Sequence, residues 1–141
     1  MILKYVGTSD SQKVSQLNEL VLWESRIFIK KMGKKCEVTR GKMHRFKLGY
    51  CYGNSVKMMQ EGYDYIEGFT IHKKSGKYVA HAWNADKNGI HWDFTFKDPE
   101  EHEYFGILIP EKTVWMVGEK NGHIWYSVLP YIDDDFSYKE I

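Results

Sequence analysis

Cysteine is scarce: Cys36 and Cys51 are the only two in 141 residues. That scarcity excludes a disulfide-stapled framework, and in a reducing compartment an isolated thiol is either a small core residue or a reactive group. Long apolar runs are missing as well. Nothing approaches the roughly 20 consecutive residues that a membrane span needs, and the start "MILKYVGTSD" lacks the basic-then-apolar layout of a secretory signal. A cytoplasmic protein with no membrane partner is therefore expected. The six histidines and two cysteines form no C-x-x-C or H-E-x-x-H, and no glycine-rich phosphate loop follows a strand. Neither a metal nor another cofactor is expected.

A strong net charge is also absent, the formal value being +1, but the charges are unevenly placed. Between Lys30 and Lys47 stand eight basic residues (Lys30, Lys31, Lys34, Lys35, Arg40, Lys42, Arg45 and Lys47) against one acid, Glu37. Without interleaved aromatics to stack on bases, this stretch reads as a solvated face rather than a nucleic-acid platform.

The chain is rich in aromatics, with ten tyrosines and five tryptophans, and its length suits one domain covering 1–141. "SQKVSQLNELVLWESRIFIKKM" carries a helical apolar stripe, with Ser9 or Asp10 as its cap and Gly33 as its stop. "GKKCEVTRGKMHRFKLG" is polar and punctuated by glycine, and reads as a connection. A second helix is expected from about Cys51 to Gln60, ending at Gly62. The period then falls from near four to two. "YDYIEGFTIHKK", "KYVAHAWN", "IHWDFTF", "YFGILIP", "TVWMVGEK" and "HIWYSVLPY" all read as strands, and "KSGK", "ADKNG" and "EKNG" as turns joining antiparallel neighbours. Helices followed by strands give an α+β fold, in which N-terminal helices, one bearing Cys51, pack on an antiparallel sheet.

A thiol in the first turn of a helix faces unpaired backbone N–H groups and the positive end of the helix dipole, both of which favour the thiolate. On "YVAHAWN", Val79, His81 and Trp83 share a face. On "IHWDFTF", His91, Asp93 and Thr95 share one face, and Ile90, Trp92, Phe94 and Phe96 the other. A four-residue loop would put His81 and Asp93 on opposite faces, whereas a three-residue loop of Lys87, Asn88 and Gly89, with Gly89 left-handed, would set Asp93 diagonally across from His81. Asp93 can then orient His81 toward Cys51, which makes a Cys-His-Asp triad. Acyl transfer also needs oxyanion donors. The backbone N–H of Cys51 is the first candidate, and Asn54, His44 and Tyr50 are further ones by proximity in sequence. Glu67 and Trp83 are candidates for binding substrate. Asn84, on the opposite strand face from His81, reads as a residue leading into the turn.

A cysteine opening a helix in "CYGNS", then "YIEG", "HAWN", "WDFT" and "YFGI", resembles the transglutaminase-like branch of the papain-like cysteine enzymes from about Gly49 to Thr95. Extended to about Ile107, the order is similar to that of small bacterial and bacteriophage proteins of the superfamily that have no settled substrate. The resemblance implies Cys51 as nucleophile, His81 as general base and then acid, and Asp93 as orienting carboxylate. It implies a hydrolase, deamidase or acyltransferase working through a thioester on a peptide, protein or glutamine-like substrate. Asp93 is followed by Phe94, where those enzymes usually have proline. The alternative is a catalytically inactive member of the fold that binds a protein through its basic segment.

Overall fold

The computed structural model describes residues 50–122, 127–133 and 135–138, except the side chain of Tyr78, together with the backbone of four short strands before them. The helix expected to follow Ser9 or Asp10 lies outside the described residues, with Ser9 itself in a strand. The short strands are β1 (Lys4–Tyr5), β2 (Thr8–Ser9), β3 (Lys34–Cys36) and β4 (Val38–Arg40). β3 and β4 correct the expected connection: "KKC" and "VTR" are too polar and too brief to read as strands, and ladder partners elsewhere in the sheet recruit them.

The centre of the fold is antiparallel. β5 (Asp64–His72) lies between β6 (Tyr78–Ala85) and β8 (His102–Ile109), and β6 pairs at its far end with β7 (His91–Asp93). The full order is β2-β3-β8-β5-β6-β7-β4, with β1 also on β8 and β4 parallel to β7. Helices α1 (Cys51–Gln60) and α2 (Glu111–Asn121) complete an α+β architecture among the described residues. None of the described helices is long and apolar enough to cross a membrane.

α1 has the expected bounds. Gly62 takes φ 104° and returns its N–H to the Met59 carbonyl, which stops the helix. α2 is a correction, since "TVWMVGEK" was read as a strand. Its β-branched residues suggested a sheet, but Thr113, Val114, Val117 and Gly118 fall on one buried helical face. Asn121 and Gly122, read as a turn, end that helix, with Gly122 left-handed at φ 78°. The strand expected from "HIWYSVLPY" is also corrected where it is described: Leu129–Tyr131 is a single 3-10 turn, with Pro130 fixing its backbone.

Alternation along the strands divides the core in two. Tyr65, Ala82, Ile107 and Ile109 face both helices, in one cluster with Val56, Met59, Val114 and Val117. Ile66, Trp83, Ala85 and Tyr104 form a second cluster against Phe96 and Leu108. Burying each large side chain contributes about 1.5–3 kcal/mol. On this second side Gly68 stands opposite both His81 and Gly106. Gly106 leaves room for the Trp83 indole to lie against its backbone, and Gly68 lies close against the backbone of β8. A Cβ at Gly106 would stand 2.5 Å from Trp83 Cη2, and one at Gly68 would stand 2.6 Å from the Gly106 Cα.

Gly106→Ala is expected to cost about 1–3 kcal/mol in urea unfolding, the usual penalty for overpacking. Gly68→Ala should cost more, because it meets the backbone of a neighbouring strand, which cannot rotate aside. Equal, small losses for the two variants would contradict this packing.

Candidate active site

Cys51 opens α1, so its N–H is among those with no acceptor inside the helix. Tyr50 is the N-cap residue and its carbonyl accepts from the Asn54 N–H at 2.9 Å. Two amides fix this end of the helix to the sheet. Asn54 Nδ2 donates to Thr95 Oγ1 at 3.0 Å, and Asn84 Nδ2 donates to the carbonyls of Ser55 at 2.9 Å and Asp64 at 3.1 Å. Asn84 is therefore a clamp between β6 and α1, and not a turn-leading residue.

The β6–β7 turn has the three-residue form. Asp86 N–H reaches the Ile90 carbonyl at 2.8 Å, and Lys87, Asn88 and Gly89 lie between, with Gly89 at φ 80°. The Asp86 carboxylate accepts from the Asn88 and Ile90 N–H groups and from the Trp92 indole at 3.0 Å. With Ala85 opposite His91 and Asn84 opposite Trp92, the register sets His81 and Asp93 on one face. His81 Nε2 meets Asp93 Oδ2 at 2.8 Å, and the Cys51 side chain lies near enough to the same imidazole to help raise its pKa. With Nε2 engaged, Nδ1 is the nitrogen left for the thiol. Three residues from α1, β6 and β7 thus meet, with His81 at 1 % exposure, Asp93 at 0 % and Cys51 at 8 %.

Asp93 is held by more than His81. Its Oδ1 accepts the N–H groups of Thr95 at 2.8 Å and Phe96 at 2.9 Å, and its Oδ2 also accepts the Tyr104 hydroxyl at 2.6 Å. β7 stops here because the two N–H groups turn back onto the carboxylate. As a result Phe96 does not stay on the Trp92 face, as strand alternation predicts, but stacks on His81 with ring centroids 4.0 Å apart. Burial opposes ionisation of Asp93, yet His81 and the other donors hold its carboxyl below the usual range. Burial likewise opposes charging His81, but Asp93 and Cys51 outweigh it and push the imidazole up to about 9.

Sequence reasoning did not single out Tyr104 or Phe96. Tyr104 sits on β8, two strands from His81 in the sheet, so only the strand order brings it near. The other candidates are placed as follows. Glu67 is buried at 1 % exposure and accepts from the Tyr65 hydroxyl, the Ser127 hydroxyl and the N–H groups of Val128 and Leu129. It does not face solvent. Trp83 is fully buried and donates its indole N–H to His91 Nδ1 at 3.0 Å, so it packs the core and does not line a binding surface. Asn54 is buried and its amide donates to Thr95, and His44 lies outside the described residues. Among the described residues no cluster of His, Cys, Asp and Glu could hold a metal ion.

Chemically, an imidazole fixed by a carboxylate on one side and touching a thiol on the other can take the thiol proton and return it. The same coupling makes stability depend on pH. His81, raised from 6.5 to about 9, contributes stability that is complete below pH 6.5 and is lost as pH rises through 9. Asp93, lowered from 3.8, contributes stability present above that pH and lost in acid. The stability difference between the native chain and Asp93→Asn should therefore be largest between these limits, about 3–5 kcal/mol as for other broken buried pairs. It should shrink by pH 9.5; urea unfolding across this range reads it, and a difference independent of pH would rule out the charged pair.

No protein-family model, curated protein or solved structure matches this chain, and the chemistry open to the site is read from its geometry.

Proposed function

We propose that this protein is a cysteine enzyme that acts on an amide or acyl bond of a peptide or glutamine-like substrate. The observation that carries this reading is the buried His81 imidazole, bonded to Asp93 at 2.8 Å and raised in pKa by both Asp93 and the nearby Cys51 side chain. In the proposed reaction His81 takes the Cys51 proton and the sulfur attacks the carbonyl carbon. The oxygen of the tetrahedral intermediate lies toward the N-terminus of α1, where the Cys51 N–H is the first donor. The C–N bond breaks as His81 protonates the leaving amine, which leaves a thioester on Cys51. Water or an amine, deprotonated by His81, then attacks the thioester, and the thiol regains its proton as an acid or a new amide departs. Hydrolysis and deamidation share water as this second partner and differ in the amine that leaves first, while transfer uses an amine in place of water.

The placement of a helix-opening cysteine beside a histidine and an aspartate on neighbouring antiparallel strands supports membership of the transglutaminase-like branch of the papain-like enzymes. A reducing compartment such as the cytoplasm would keep the Cys51 thiol free. A specific observation favours a second reading, a non-catalytic binding module of the same fold: His81 is almost wholly buried, and Cys51 nearly so. A substrate would have to displace whatever covers the sulfur.

Thiol reactivity separates the two. At mildly acidic pH, limiting iodoacetamide should alkylate Cys51 faster than Cys36 in the folded chain, and His81→Ala should slow Cys51 about tenfold or more while leaving Cys36 unchanged. Peptide mass mapping gives the rates, and circular dichroism checks the fold. A Cys51 rate no higher than that of an ordinary thiol and indifferent to His81 would leave the binding module as the reading.

A further inference from the structure

Asp93 receives four hydrogen bonds, but two come from backbone N–H groups that no side-chain substitution removes. Of the two side-chain donors one is His81, and the other, Tyr104, shares the same oxygen, Oδ2. Tyr104 is 1 % exposed, and its ring meets the Trp83 indole edge-on with centroids 5.0 Å apart. Packing alone would explain the ring. It does not explain a hydroxyl aimed at the carboxylate oxygen that also holds the imidazole, with an O···O distance of 2.6 Å.

We propose that Tyr104 is a positioning residue for the Cys51 site, its hydroxyl keeping Asp93 Oδ2 in line with His81 Nε2 and drawing charge away from that oxygen. This rests on the cysteine-enzyme reading for its role in catalysis. Burial and the adjacent Asp93 hold the Tyr104 phenol far above its ordinary range, so the hydroxyl acts as a donor at every working pH. Sharing Oδ2 weakens the pull of the carboxylate on the imidazolium. Too strong a pull would trap His81 in its charged form, which cannot accept the thiol proton. The other titratable groups around His81 are Cys51 from α1 and His102 from β8. Burial and the neighbouring His72 and His81 hold His102 below the usual imidazole range, so it stays neutral near pH 7.

The test is an NMR titration of the full chain carrying isotope-labelled histidine, with the His81 signals assigned by their loss in His81→Gln. Tyr104→Phe keeps the ring and removes the donor, and should raise the His81 midpoint by about half a unit or more. A fluorinated tyrosine placed at 104 keeps the packing and strengthens the donor, and should lower the midpoint. Opposite shifts carry the proposal. Midpoints equal to the native one, or shifts of the same sign in both variants, overturn it, because a residue that only packs would give one or the other. If Tyr104→Phe does not fold, the fluorinated chain decides alone: a lowered midpoint supports the proposal and an unchanged one overturns it. Cys51 alkylation in the native chain is measured separately. Failure of the enzyme reading appears there, and failure of the Tyr104 inference in the titration.

Discussion

The buried carboxylate of Asp93 is the point on which the site's geometry depends. An ionised group cut off from water is tolerated only when its lone pairs are filled, and here β6, β8 and the segment after β7 each supply a donor. Meeting that demand fixes three things together. The strand ends, because the N–H groups of Thr95 and Phe96 leave the ladder direction for Oδ1. The ring of Phe96 is carried back over His81. The Thr95 hydroxyl is presented to Asn54, which ties the first turn of α1 to the end of β7. The local backbone, the orientation of the imidazole and the seat of the cysteine helix thus follow from one charge.

Glu67 offers an internal comparison, since it too is a fully buried carboxylate with several donors. Burial raises its pKa despite those bonds, whereas that of Asp93 is lowered. The difference lies in the donors. Glu67 receives hydroxyls and backbone N–H groups, all neutral, while Asp93 has an imidazole that can take up a proton. Neutral donors offset part of the desolvation of a carboxylate, and a cationic one reverses the balance.

Where the chain's pattern was local, the fold could be read from it. The Cys51 helix, its glycine stop, the two hairpins and the three-residue loop that aligns His81 with Asp93 depend on residues within about two dozen positions of each other. What escaped depends on distant partners. "TVWMVGEK" has strand-like composition, and only its packing beside α1 makes the helical face the buried one. Strands as short as β3 and β4 exist because β8 and β7 are there to pair with. The burial of Glu67 was not legible because alternation cannot say which face of a sheet is covered. Tyr104 reaches Asp93 only because the strand order sets β8 next to β5, two strands from His81.

The bonds that reach Glu67 from Ser127, Val128 and Leu129 also determine how the chain tolerates being cut. A terminal segment that merely covers a surface can be removed at the cost of the area it buried. Here its removal would also leave a carboxylate inside the protein with Tyr65 as its one remaining donor of those four. Proteolytic nicking between α2 and residue 127 would leave the fragments associated for the same reason, since neither piece alone satisfies that charge. The stretch from Ser127 to Leu129 is thus an internal component of the domain, and the sheet can close around Glu67 only after the chain has been made past Leu129.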